Sequence, residues 1–450
     1  MIQKRLLTGL MLALLVSVPA QAQLNRVFDK LFNDILREGF LLSPGVHANH
    51  FLPAAEEASN ALTPALNSLI AGNISSFPLS SNVAGVIISV VDGQPIITRG
   101  SMGPIVAETA ETLSPGELVV GFNATHLSLN SFRGLPLEDM RFTFLHTDIG
   151  EPGLGDSPNE SDLVNISLGL EADANIFVLY AAYGVAPNLD VALAIPFVNV
   201  RLKGEARTVV ESFTFVRGAC ESGRCGANHF FDGTSENPDL EKVEPYDESA
   251  AGIGNIAVQL KYRLPSVSVF DAGLLLDVRV PSGDEGDFLG TGNASVRGLL
   301  LVSGAVGDFN PHLNLGYDYR GGGEFDSDEL EVVVGFDQKL AEGLTFALDF
   351  LGDFDLEAAE AVRLLPGEVT ITDNVPVTNE NGEVVDLTHV RTIRRSNVPD
   401  QNYDHTLNAS VGVWIAPTNN FQLLANLIIP LQDDGLRSSV AVTVGLSLSF

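Results

Sequence analysis

From Val440 to the last residue the chain alternates without exception. Val440, Val442, Val444, Leu446, Leu448 and Phe450 hold one parity, while Ala441, Thr443, Gly445, Ser447 and Ser449 hold the other. A period of two puts successive side chains on opposite faces of a β-strand, so this segment makes a strand with one apolar face and one small or polar face. A soluble sandwich strand can read this way, but it has no need to keep its apolar side intact to the final residue.

The N-terminus agrees with a chain built for export. Lys4 and Arg5 precede an apolar stretch from Leu6 to Val18, and Ala20-Gln21-Ala22 reads as a small-x-small cleavage site before Gln23. Residues 1–22 are therefore expected to be a removed signal peptide. The stretch is shorter than the roughly 20 apolar residues that a spanning helix needs, and no other run approaches that length. Hydrophobic residues make up 45% of the chain while its net charge is -32. A β-barrel resolves that tension by turning apolar residues toward lipid and keeping polar ones in its lumen and loops. Such acidity excludes nucleic acid as a partner, because a polyanion is repelled.

Cys220 and Cys225 are the only cysteines. In an oxidising compartment a small disulfide loop is expected over a metal site, which would need ligands beyond His229. No metal and no cofactor is expected elsewhere. The loop residues Asp284, Glu285 and Asp287 could offer hard oxygen ligands to calcium, but their spacing matches no established cage, so a solvated acidic loop is preferred.

Residues 23–115 read as an N-terminal extension, either a plug or a periplasmic cap. Leu24, Val27, Phe28, Leu31, Phe32, Ile35 and Leu36 recur at helical steps, and a second, alanine-rich helix is expected around Ala54 to Ile70. Asp92-Gly93 then predicts a two-residue hairpin turn. Phe28, Leu31, Phe32 and Ile35 are the apolar stripe expected to close the bore or the periplasmic mouth.

From residue 116 onward the period is two, which predicts an all-β transmembrane antiparallel barrel over 116–450, of about 14 strands with 12 possible. Segments 163–171 and 174–184 are counted as separate strands, as is 139–147. At Pro196 and Phe197 the apolar parity slips, and a bulge is the expected cause because proline cannot donate to the ladder. Short turns near 186–188, 265–268, 307–308, 341–343 and 417–420 would be periplasmic, and the long links between them extracellular. The polar parity supplies the expected lumen lining: Lys261, Arg263, Asp271, Asp277, Arg279, Arg297, Asp318, Arg320, Asp349, Asp353 and Asp355. Mixed charge of this kind suits either ion selectivity or an internal pairing network.

The terminal strand ending in Phe resembles the closing strand of bacterial outer-membrane barrels, in which Val442, Val444, Leu446, Leu448 and Phe450 would be read by the barrel-assembly machinery. The run Tyr183-Gly184-Val185-Ala186-Pro187-Asn188-Leu189-Asp190 through Pro196, with Gly252-Ile253-Gly254-Asn255-Ile256, Val280-Pro281-Ser282-Gly283-Asp284-Glu285, Gly290-Thr291-Gly292 and Pro311-His312-Leu313-Asn314-Leu315-Gly316-Tyr317, is similar to the outer-membrane transporter family named for the meta-pathway of phenol degradation. The resemblance spans roughly residues 160–340. It implies passive uptake of small hydrophobic or aromatic compounds across the cell outer membrane, with the lipid bilayer and lipopolysaccharide as surroundings. The Asn-Pro-Ala signature of the fatty-acid channel's plug is missing.

Two other classes compete with the channel. One is a structural or adhesive barrel without conduction, which long acidic loops permit. The other is an outer-membrane hydrolase using Asp404-His405 with Ser396. Adjacent strand residues point to opposite faces and no serine-centred motif supports that chemistry, so the chain is expected not to be an enzyme.

Overall fold

A computed structural model describes residues 23–42, 50–77, 88–91, 94–97, 101–147, 161–215, 226–265, 270–321, 327–358, 361–418 and 420–450. The predicted signal segment, the Asp92-Gly93 turn and both Cys220 and Cys225 lie outside the described residues.

Twelve antiparallel strands close a barrel. They are β1 (Leu118–Phe132), β2 (Leu163–Ala186), β3 (Leu189–Glu211), β4 (Ile256–Arg263), β5 (Phe270–Val280), β6 (Ser295–Gly304), β7 (Phe309–Arg320), β8 (Glu329–Ala341), β9 (Leu344–Asp355), β10 (Thr406–Thr418), β11 (Phe421–Pro430) and β12 (Ala441–Ser449). The ring closes where β12 pairs with β1, from Val442 opposite His126 to Ser449 opposite Val119. Leu118 and Phe450 then exchange both backbone hydrogen bonds, at 3.2 and 2.8 Å. No sheet edge remains in the ring, so the strands there satisfy one another's backbone groups along the ladders.

The strand count falls at the lower of the two expected values because two expectations merge. Segments 163–171 and 174–184 form one 24-residue strand, β2. Residues 140–145 pair with the outer part of β2 and stand outside the ring. Nor is there a bulge at Pro196. The β2–β3 register runs unbroken through Val178 opposite Pro196 and slips only beside the turn, between Gly184 and Ala186. Pro196 occupies the point where the other neighbour of β3 changes, from β4, which ends its pairing at Ala194, to the strand Glu241–Ile253, which begins at Phe197. Its missing N–H faces that changeover, where its carbonyl accepts from Gly254 N at 2.8 Å.

What the sequence shows as a parity slip is a change of surroundings. Near the short turns the odd residues Phe177, Leu179, Tyr183, Val191 and Leu193 are exposed, forming part of an apolar outer belt. Farther out the same parity carries Glu171, Arg201, Lys203 and Arg207, which form ion pairs at 3.6 Å (Lys203–Glu171), 2.6 Å (Arg201–Asp247) and 2.8 Å (Arg207–Glu241). There the apolar residues Val164, Ile166, Leu168, Val200 and Leu202 turn inward and are buried. The long β2–β3 hairpin thus has a barrel-like half, apolar outside, and a half built like a water-soluble sheet, apolar inside.

That inward apolar face is covered by the N-terminal helices. Helical segments Asn25–Asp29, Lys30–Asp34 and Ile35–Glu38 run on as α1 (25–38), and Leu52–Glu57, Ala58–Leu62 and Thr63–Ser75 as α2 (52–75). Phe28, Leu31, Phe32 and Ile35 are buried, and Phe32 packs edge-on against Phe142 with ring centroids 5.8 Å apart. Burying each such side chain is worth about 1.5–3 kcal/mol. The helices hold each other through Ser59 Oγ to Asp29 at 2.9 Å and Asn67 Nδ2 to Asn25 O at 3.1 Å. Among the described residues, no helix is long and apolar enough to cross a membrane.

Candidate functional site

The helices occupy the long-link end of the barrel, and an extended stretch at 101–117 occupies the short-turn end. The stretch runs across the bore from β9 to β3, taking one partner after another from the polar inner faces of the strands. Met102 N donates to Thr345 Oγ1 at 3.1 Å, and Val106 N and Ala107 N both donate to Asp349 Oδ2 at 3.4 Å. Asn314 takes both backbone groups of Glu108, Ala110 N reaches Ser303 Oγ at 3.2 Å, and Leu113 N reaches Asp190 Oδ2 at 2.9 Å. An extended segment crossing the strands has no ladder partner of its own, so its buried amides need side-chain acceptors.

Small residues let the segment approach the wall. Ala107 packs on Val333 and Leu351, and Ala110 on Leu275, Leu299 and Leu301. At Gly273 a Cβ would lie 3.2 Å from the Ala110 Cα, tighter than ordinary contact. Trp414, the chain's one tryptophan, is fully buried and donates Nε1 to Pro104 O at 3.3 Å.

The charged residues on the polar parity are buried or half-buried, and they divide by height. Beside the crossing segment, Lys261 Nζ meets Glu108 Oε2 at 2.6 Å, and Asp349 Oδ1 lies in hydrogen-bond contact with His312 Nε2 at 2.6 Å. His312 also faces Asp337 across 3.7 Å. At the short-turn end Arg263 pairs with Asp271 at 2.9 Å. Higher up, Arg297 bridges Asp277 and Glu331, both at 2.9 Å, while Arg320 pairs with Glu329 and with Asp318 at 3.5 Å. Arg279 Nη1 donates to Ser75 O at 2.5 Å, capping the C-terminus of α2, where the helix dipole favours a cation.

Between the end of α2, the crossing segment and the wall lies a cavity of about 240 Å³. Arg279, Arg297, Arg320 and Arg437 contribute its positive charge, and Glu108, Asp318, Glu329, Glu331, Asp353, Asp355 and Asp404 its negative charge. Leu69, Phe77, Val106, Leu299, Leu351 and Ile428 add apolar surface. Arg437 sits on the link between β11 and β12, where burial pushes its guanidinium below the usual range.

Sequence reasoning did not single out Glu108, Asn314, Asp190, His312 or Asp337 as interior residues of importance, and it missed the crossing segment. Asn314 and His312 were visible only within the Pro311 to Tyr317 run, with nothing to mark their partners. Their partners are up to 206 residues away in the chain.

The residues of the disfavoured hydrolase and calcium readings make contacts of other kinds. Asp404 receives Arg133 Nε and Nη2 at 2.7 and 2.8 Å, Ser396 Oγ accepts from Val398 N at 3.0 Å, and the His405 ring stacks on Tyr403. Among the described residues, no hydrogen bond joins Ser396, Asp404 and His405 to one another. Asp287 Oδ1 accepts from Leu24 N at 3.3 Å at the head of α1, and Asp284 Oδ1 accepts from Gly286 N at 2.9 Å. No cluster among the described residues has the makings of a metal site.

No family model and no curated protein matches this chain. Solved structures similar to it include an outer membrane channel from Pseudomonas putida F1, at TM-score 0.40 and 10% identity, covering 76% of this chain and 98% of that one. They also include the toluene transporter TbuX of Ralstonia pickettii, at TM-score 0.28 and 12% identity over 81% of this chain and 98% of that one. A Pseudomonas aeruginosa FadL homologue follows at TM-score 0.29 and 8% identity, covering 74% and 88%.

Proposed function

We propose that the protein is an outer-membrane channel for the passive passage of small solutes, closed in this conformation by its own N-terminal extension. The observation that carries this reading is the crossing segment. It fills the bore through hydrogen bonds to side chains of the wall, each worth only about 0.5–1.5 kcal/mol net, so it can be displaced without unpairing any strand. The apolar outer belt supports placement in a bilayer, short turns toward the periplasm and the charged outer half of β2–β3 in water. Export through a cleaved signal at 1–22, assembly guided by Val442 to Phe450, and contact with lipopolysaccharide belong to the same reading.

The cargo implied by the sequence resemblance is a small hydrophobic or aromatic compound. A second reading, a polar cargo, is favoured by one observation: the cavity lining carries eleven charged side chains of both signs. Proteoliposomes carrying the full chain distinguish the two through uptake of toluene against uptake of sugars and amino acids. Entry of toluene alone supports the first reading, and entry of polar solutes alone the second. Entry of neither, together with a silent planar-bilayer trace, overturns the channel in favour of a structural or adhesive barrel.

A further inference from the structure

Among the described residues most charges in the cavity have an ion-pair partner, and four do not. Arg297 and Arg320 have carboxylate partners, Glu108 has Lys261 and Asp404 has Arg133. Among the described residues Arg437 forms no ion pair, although it is only 6% exposed. Its Nη1 and Nη2 reach neutral acceptors, Asn408 Oδ1 at 3.2 Å and Leu407 O at 3.4 Å, and its Nε has no hydrogen-bond partner. Arg279, 8% exposed, likewise has only the neutral carbonyl of Ser75. On the opposite sign, Asp353 accepts from Thr406 Oγ1 at 2.8 Å and Asp355 from Asp404 N at 2.6 Å, neither from a cation. All four line the same cavity.

A buried guanidinium with no carboxylate in contact is costly even with Asp353 and Asp404 in its electrostatic surroundings, and a wall that leaves two cations and two carboxylates out of contact around one space keeps both signs available. A solute of one sign would satisfy half of them and repel the rest. We propose that the cavity binds a small zwitterion, a solute bearing one carboxylate and one ammonium, with Arg437 taking the carboxylate and Asp353 the ammonium. Arg437 presents the fork geometry that matches a carboxylate, whereas Asp353 offers a compact acceptor to a point-like cation. The apolar surface of Leu69, Phe77 and Ile428 leaves room for a short aliphatic spacer between the charges. This deepens the polar-cargo reading and rests on the bore being a solute path.

The test is calorimetric titration of the full chain in detergent with glycine, β-alanine and 4-aminobutyrate, with propionate and ethylammonium as single-charge controls. At least one zwitterion is expected to bind tenfold or more tighter than either control. Arg437→Gln and Asp353→Asn are each expected to weaken that binding tenfold or more, and Arg437→Lys to restore part of it. Thermal unfolding of each variant, followed alongside, separates loss of a site from loss of the fold. Equal binding of propionate and the best zwitterion, or binding undiminished in a folded Arg437→Gln protein, would overturn the proposal, as would no zwitterion binding to the unaltered chain. Zwitterion binding without uptake in proteoliposomes would sink the channel reading and leave the site standing.

Discussion

Asn314 mimics a peptide unit for Glu108: the Glu108 N–H donates to Asn314 Oδ1 at 2.7 Å while Asn314 Nδ2 donates to the Glu108 carbonyl at 2.7 Å. One wall side chain thus replaces the β-ladder that the crossing segment lacks. Asn314→Leu keeps the volume and leaves a buried N–H and C=O unpaired, at a cost of about 1–3 kcal/mol for each group. The cost falls on the plugged state alone, so the segment is expected to leave the wall more often. Planar-bilayer recordings should show a higher open probability, and Trp414, which donates to Pro104 of the same segment, should shift its emission to the red. Unchanged current and unchanged emission would mean that the segment is not the closure.

Lys261 and Glu108 make a direct charge contact between the wall and the crossing segment, with side chains 16% and 7% exposed. Removing one partner of a buried pair strands the other, typically at about 3–5 kcal/mol. Lys261→Met is therefore expected to open the bore about as much as Asn314→Leu, and the double variant Lys261→Met with Glu108→Gln to return it toward the closed level. Conductance of the three proteins makes a double-mutant cycle. Additive effects would show that the pair does not act as a unit.

The barrel was legible wherever one rule held along a whole strand. In β4 and β12 the large apolar residues face outward throughout, so parity alone gave face and strand together, as with Val258, Leu260 and Tyr262 exposed against buried Ala257 and Gln259. It misled in β2 and β3, where the apolar residues change faces partway, from Phe177 and Leu179 outside to Ile166 and Leu168 inside. A slipped strand and a strand leaving lipid for water write the same pattern. The helical stripe of Phe28, Leu31, Phe32 and Ile35 was readable, but not the end of the barrel it joins, since its partners Phe142 and Phe144 lie over a hundred residues downstream. The crossing segment was illegible for a plainer reason: it has no period, and its hydrogen bonds go to side chains on six different strands or their turns.

The outward parity of β12 predicts a steep asymmetry between neighbouring positions. Leu446 is exposed on the belt, whereas Ser447 is buried on the inner face, where its Oγ meets Gln422 at 3.2 Å. If the belt faces lipid, Leu446→Arg should cost about 2–4 kcal/mol near mid-bilayer. Reversible folding into phospholipid vesicles under denaturant measures it, with Leu446→Ala as the size control. An Arg variant no less stable than the Ala variant would place this face in water.

Arg133 and Asp404 offer the last test, because the same aspartate is the acid of the hydrolase reading. Arg133 stands in a left-handed backbone conformation, with φ 51°, and its guanidinium is clamped by both Asp404 oxygens and by the carbonyls of Pro399 and Val362 at 2.8 and 2.9 Å. Asp404→Asn keeps the shape and removes the charge from a buried guanidinium, with an expected loss of about 3–5 kcal/mol. Thermal unfolding of the outer part should register that loss, and Arg133→Met with Asp404→Leu should recover much of it. In a hydrolase the recovery variant would be stable yet inactive on ester substrates that the unaltered chain cleaves. A structural pair gives no such cleavage in any variant, and a stable Asp404→Asn protein would contradict the clamp.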